Sequence, residues 1–212
     1  MLTKQLFAPL LVLALISANP LANAGTLDKT PKKTVAKPAT YTVDPAQSTL
    51  TWNAKKVGGE HTGTIKLSKG DLVLDGNKLV GGTFVADMTT IADNDNSQRL
   101  VGHLKNDDFF GVEKNPTSTF KITKVTPLKG KAGEPNYTVT GDLMIKGKTS
   151  PITFPATVKV SGDGAEAMAK IEVNRVTYDI KYRAAVIGTA ADKIIEDNFT
   201  LDLKLVAKKS AM

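Results

Sequence analysis

Groups able to do chemistry are few in this chain. His61 and His103 are its only imidazoles, and there is no cysteine. Metal centres draw on clustered His, Cys and carboxylates at regular spacing. Neither histidine lies in such a cluster, so the spacing predicts no metal site. Asp93, Asp95, Asp107 and Asp108 form a carboxylate-rich stretch. They fall where a helix start and a loop favour acidic, turn-forming residues, which predicts solvated side chains. An Asp-x-Asp pair without the terminal Glu is not an EF-type calcium loop. There is no Gly-x-Ser-x-Gly elbow, no phosphate-binding glycine loop and no nucleophile motif with a partner, so no catalytic residue is predicted.

What remains is large apolar side chains at a regular interval, and the elements that carry them are strands. Leu50, Trp52 and Ala54 alternate with Thr51, Asn53 and Lys55. Further rows are Gly63-Ile65-Leu67, Gly82-Phe84-Ala86-Met88, Phe120-Ile122, Tyr137 to Ile145, Ile152 to Val160, Ala167 to Val173 and Phe199 to Leu205. Alternate side chains of a strand point to opposite faces, so each row is one apolar face set against one wet face. No ionisable residue sits in the middle of an inward row. Ser68-Lys69-Gly70, Asp75-Gly76-Asn77, Lys146-Gly147-Lys148 and Ser161-Gly162-Asp163-Gly164 have hairpin-turn composition. Asp93 to Gly111 breaks the alternation. Leu100, His103 and Leu104 at helical spacing, with Ser97 or a preceding Asn/Asp as cap, predict one short helix. Long antiparallel strands plus one helix at an end favour a barrel with an interior over a filled sandwich. The small residues in the rows fit either a tightly filled taper or room for a ligand.

The chain ends point to export. Lys4, the apolar run Leu6–Ile16 and Ala22-Asn23-Ala24 are the three parts of a signal peptide covering residues 1–24. The run is about eleven residues, well short of the roughly twenty that span a bilayer as a helix. Residues 25–40 are rich in Lys, Thr and Pro and predict a flexible tail. The folded domain is expected over 41–207, with a polar end at 208–212. Without cysteine the fold must rely on its own core, and no lipid-bearing Cys follows the cleavage site. The expectation is a free protein of the periplasm. The net charge is +7. Its lysines are spread along the chain without aromatic steps on the wet faces, which argues against a nucleic-acid surface.

Several stretches resemble one family. They are Tyr41 to Trp52, Gly81-Gly82-Thr83-Phe84-Val85-Ala86-Asp87-Met88, Gly141 to Gly147 and Phe199 to Ala207. The most specific is His103-Leu104-Lys105-Asn106-Asp107-Asp108-Phe109-Phe110 followed by Asn115-Pro116-Thr117-Ser118-Thr119-Phe120. On these the chain is similar to the YceI-like, polyisoprenoid-binding family. The resemblance implies an all-β, extended, antiparallel eight-stranded lipocalin-like barrel with a short helix near its mouth. It implies an exported, non-catalytic protein, a monomer or homodimer, that binds, transports or stores a long isoprenoid lipid, of quinone or polyprenyl phosphate type, in the lumen. Transient membrane contact would go with that role. An enzyme acting on an isoprenoid-like substrate and a ligand-free structural barrel are the alternatives. A pocket for such a chain needs large apolar side chains on facing strands. Trp52, Phe84, Met88, Phe120, Leu143, Phe154 and Ile171 are the candidates, with Leu104, Phe109 and Phe110 at the helix. Of Phe109 and Phe110, one ring is expected to anchor the helix and the other to face the lumen. Taken one at a time, each candidate fits plain core packing better than a ligand contact. His103, Arg175 and Arg183 are candidates for a polar head group by residue type. No cofactor is implied. The stretch Arg183–Asp192 lacks an aromatic pair found in many relatives, which puts ligand choice in doubt if that loop shapes the mouth.

Overall fold

The computed structural model describes residues 37–131 and 133–211. The predicted signal peptide, and the predicted tail up to residue 36, lie outside them. The strands are β1 (Ala39–Val43), β2 (Thr49–Lys56), β3 (Gly59–Asp75), β4 (Lys78–Asp93), β5 (Thr117–Pro127), β6 (Tyr137–Ile145), β7 (Lys148–Ser161), β8 (Gly164–Asn174) and β9 (Ile195–Lys209). One α-helix, α1 (Gln98–Lys105), lies between β4 and β5. The first strand starts two residues before Tyr41 and the last ends two residues after Ala207.

These strands close an eight-column antiparallel barrel. Each of β3 to β9 pairs with its neighbour in sequence. The last column is shared: β1 and β2 both pair with β3 and with β9, so one strand position is filled by two segments end to end. Closure leaves no free long edge, the usual hazard of an open sheet.

Hairpin chemistry explains three of the joints. Gly76 and Gly162 take positive φ, and Lys146-Gly147 takes it at both positions, as a two-residue loop demands. Ser68-Lys69-Gly70 is not a turn. β3 runs straight through it, with a shift of register against β4 between Leu67 and Lys69. A bulge uses the same small, polar residue types as a turn, but it bends a strand instead of ending it.

The inward rows fall as the alternation predicts, and the inward glycines prove to be seats for aromatic rings. A Cβ on Gly63 would lie 2.6 Å from the Trp52 ring, and one on Gly141 would lie 2.4 Å from the Phe120 ring. The space these glycines leave is filled by protein. At one end of the barrel the packing is complete: Tyr41, Val43, Leu74, Ala165 and Ala207 are all buried. From mid-barrel to the other end, inward side chains such as Ile122, Ile152, Leu203, Leu201 and Phe199 are only half-buried. We call the first end the base and the second the mouth.

Candidate functional site: an apolar lumen

α1 sits at the mouth because its sequence stops and starts it there. Ser97 accepts a hydrogen bond from the Leu100 N–H (3.3 Å) as the N-cap, and the Asp93 carboxylate accepts one from the Ser97 N–H (3.0 Å). Leu104 is buried beneath the helix. The chain then coils tightly, with the Gly111 and Val112 N–H groups reaching back to the Asn106 and Lys105 carbonyls. This coil brings Phe109 and Phe110 to the same cavity as Leu104.

That cavity is the barrel interior. The space in which the centre of a water-sized sphere can move amounts to about 170 Å³. All ten side chains singled out from the sequence stand on its wall: Trp52, Phe84, Met88, Leu104, Phe109, Phe110, Phe120, Leu143, Phe154 and Ile171. Phe84, Phe120 and Phe154 form an aromatic ladder across β4, β5 and β7, with centroids 6.5 and 5.4 Å apart. The expected division between Phe109 and Phe110 is incomplete. Both reach the cavity, while Phe109 also packs on His103 and Tyr182 at 4.8 and 5.5 Å.

The polar residues on the wall are Ser118, Thr119, Arg175 and Glu196. Ser118 was missed, although it continues the Phe120-Ile122 row by one step toward the mouth. A hydroxyl in an otherwise apolar row is the signal that could have found it.

Of the three head-group candidates, one reaches the cavity wall. Arg175 touches the cavity, but its guanidinium is buried and occupied. It donates to the carbonyls of Ile180, Tyr182, Ile195 and Glu196 at 2.8–3.0 Å, and Asp197 lies 3.6 Å away. Burial lowers its pKa from the ordinary guanidinium value, and the Asp197 charge pulls the other way. Arg175 is a clamp that ties the segment after β8 to the start of β9, with little left to offer a ligand. His103 is off the cavity wall. Its ring meets Phe109 and Tyr182 edge-on, and its Nε2 lies 3.1 Å from Asp108. Arg183 is exposed, its guanidinium stacked over the Tyr182 ring at 5.3 Å. The atypical stretch Arg183–Asp192 contributes no residue to the cavity wall.

Asp93 also departs from expectation. It is the last residue of β4, buried and paired in register with Gly63, not a solvated loop residue. The cause is local. Between Lys66↔Asp87 and Thr64↔Ala92, β4 carries three more residues than β3, and the Thr90 hydroxyl takes over as acceptor for the Lys66 N–H. That insertion changes which β4 residues face inward, so Ile91 and Asp93 point in where strict alternation from Met88 would turn them out. It also brings His61 beside Asp93 and Asp95, a grouping the linear spacing did not suggest.

With this geometry in place, comparison with known proteins is decisive at the family level. The family model described as "YceI-like domain" matches residues 41–207.

The chain belongs to the YceI-like family.

Among curated relatives, a "UPF0312 protein" of Pseudomonas aeruginosa is 34% identical over 101 residues, which is 48% of this chain and 44% of the relative. One from Ectopseudomonas mendocina is 28% identical over 141 residues, 66% of this chain and 65% of the relative. The chain thus spans about half the length of the first of these YceI-like relatives. Among solved structures, Burkholderia cenocepacia BcnA superposes with a TM-score of 0.65 at 24% identity, covering 78% of this chain and 99% of that one. A structure described as "a polyisoprenoid binding domain from Saccharophagus degradans implicated in plant cell wall breakdown" gives 0.57 at 13% identity, covering 82% and 100%. At these identities the likeness is one of fold.

Proposed function

We propose that this YceI-like protein is a non-catalytic carrier that holds a long polyisoprenoid chain, of quinone or polyprenyl phosphate type, in its lumen. The observation that carries this reading is the wall of the cavity, which is hydrocarbon on all sides apart from a few groups toward the mouth. An isoprenoid chain offers almost nothing to hydrogen-bond, so affinity has to come from apolar surface removed from water. At about 0.8 kcal/mol per buried CH₂, one five-carbon unit is worth about 4 kcal/mol before the costs of ordering the chain. The polyisoprenoid-binding domain with the same fold supports the choice of ligand class. Binding is favoured over turnover because, among the described residues, the wall carries no nucleophile paired with a base.

The N-terminal pattern supports action in the periplasm, where a carrier would move such a lipid between membranes. Val57, Val186 and Ile187 are exposed near the mouth, and Val57 is tied to Ile194 by a backbone hydrogen bond of 3.1 Å. They are the side chains best placed for transient contact with a bilayer. Native mass spectrometry of protein purified from its host periplasm tests the proposal. The expected result is a bound mass matching a polyprenyl lipid. Protein that is empty there, and that takes up neither a quinone nor a polyprenyl phosphate when supplied, would overturn it.

A further inference from the structure

The grouping of His61, Asp93 and Asp95 at the mouth contains two buried polar atoms with no hydrogen-bond partner among the described residues. Asp93 pairs in register with Gly63, so antiparallel counting sets Asp95 across from His61, with Asp93 diagonal to it on the same inward side. The Asn94 N–H donates to the Thr62 carbonyl at 2.9 Å and the Asn94 side chain to the Thr62 hydroxyl at 3.0 Å, which holds this register past the end of β4.

The Asp93 side chain is 0% exposed. One of its oxygens, Oδ2, is spent on the Ser97 N–H. The other, Oδ1, is buried and has no hydrogen-bond partner among the described residues. The Nδ1 atom of His61 is likewise buried and unpartnered, although the ring as a whole is one-third exposed. These two atoms face each other across 4.0 Å, too far for a hydrogen bond. Buried carboxylate oxygens are rarely left without a partner, because the desolvation cost is high. One ligand atom from each of His61, Asp93 and Asp95 lies within 4.8 Å of the other two.

We infer that His61 Nδ1, Asp93 Oδ1 and Asp95 form a site for a divalent transition-metal ion at the mouth of the barrel. One imidazole nitrogen and two carboxylates suit zinc-like ions better than calcium or magnesium, which prefer oxygen alone. Ligands on a tetrahedral ion at 2.0–2.1 Å stand about 3.4 Å apart, so the site must close by roughly 1 Å. Asp95 is exposed in a turn and His61 is partly exposed, so the movement falls on the two side chains that are free to make it. Asp93 is held fixed by Ser97, as an outer hydrogen bond fixes a ligand carboxylate. Three protein ligands leave at least one coordination position for water or another oxygen donor. Trp52 reports on the site: its Nε1 donates to the carbonyl of Ala92, the residue before Asp93, at 3.1 Å.

The test is titration of the purified, metal-stripped protein with Zn²⁺ against a chelating dye, with Co²⁺ absorption and Trp52 fluorescence as independent readouts. The site predicts one ion per chain, a rise in melting temperature with Zn²⁺ and a four- or five-coordinate Co²⁺ spectrum. His61→Ala and Asp95→Ala alter partly or fully exposed side chains and should fold. Each is expected to weaken binding at least a hundredfold, the upper end of what losing even an outer-shell partner costs. Asp93→Asn is a third variant, read only where its circular dichroism matches the wild type. Absence of one-to-one binding, or binding that His61→Ala and Asp95→Ala leave unchanged, would overturn the inference.

Discussion

The base and the mouth of this barrel share β3 to β9, with β1 completing the base and β2 the mouth side, and they are held together by different physics. At the base, Tyr41, Val43, Leu74, Ala165 and Ala207 are buried with almost no surface left. At the mouth, polar groups add to the buried Val173, Tyr178 and Ile180: the Arg175 clamp and the Ser97 cap are placed against backbone, and His103 pairs with the Asp108 side chain. The contrast shows how one alternating pattern yields both a plug and a pocket. Dispersion and apolar burial fill space, and a region held that way cannot also admit a guest. A region held by directed hydrogen bonds can keep its shape around an opening.

The sharpest way to break this comparison is at the clamp. Arg175→Met removes the donor to four carbonyls, and stranding such groups is expected to cost about 3–5 kcal/mol, seen as a lower urea midpoint. A loss well under that would mean that packing holds the mouth too. Next comes Leu74→Ala at the base, expected to cost about 2–5 kcal/mol. Lipid uptake per folded molecule should not change, which a denaturation curve and a binding titration on the same sample would show. Ala169→Trp separates the regions from the other side. Ala169 points into the lumen on β8 and is half-buried, so a large ring has room to enter. Stability should move by no more than about 1–2 kcal/mol, while uptake of a polyprenyl ligand falls at least about tenfold. A full loss of fold would show that the lumen is already packed.

The smallest expected effect lies on the solvent side of the coil after α1. The Lys114 ammonium, 2.7 Å from Asp107, holds that exposed carboxyl below its ordinary value. A depressed folded pKa adds stability above the unfolded value, and that contribution is lost as pH falls through the folded one. For so exposed a pair it should be hard to detect in melting. The NMR titration of Asp107 should nevertheless move up toward the ordinary carboxylate value in Lys114→Ala.

Much of the barrel is legible in the alternation, because side-chain period and strand geometry are the same fact. Trp52, Phe84, Leu143, Phe154 and Ile171 all reach the lumen through nothing more than counting by two. What escapes is whatever breaks the count. Three extra residues in β4 turn Asp93 inward, and no local composition around Thr89-Thr90 announces that they sit in a strand instead of a loop. Ser68-Lys69-Gly70 has turn residues and makes a bulge. Arg175 reads as a surface cation, since its four carbonyl partners come from segments 5 to 21 residues away that only the fold brings together. His61 and Asp93 belong to the same class: their proximity is a product of register, and register across a bulged pair is invisible to spacing along the chain. The hydrocarbon wall and the Ser97 cap are therefore readable, while the partners of Arg175 and the inward turn of Asp93 are not.

The most direct test of the central claim is methyl NMR with a polyprenyl phosphate of defined length added to the protein. Contacts between the ligand's isoprenoid methyls and Leu143, Ile171 and Leu203 are predicted, with the methyls of Leu74 at the base unaffected. Ligand contacts confined to the exposed Val57, Val186 and Ile187, or none at all, would contradict a lipid-holding lumen.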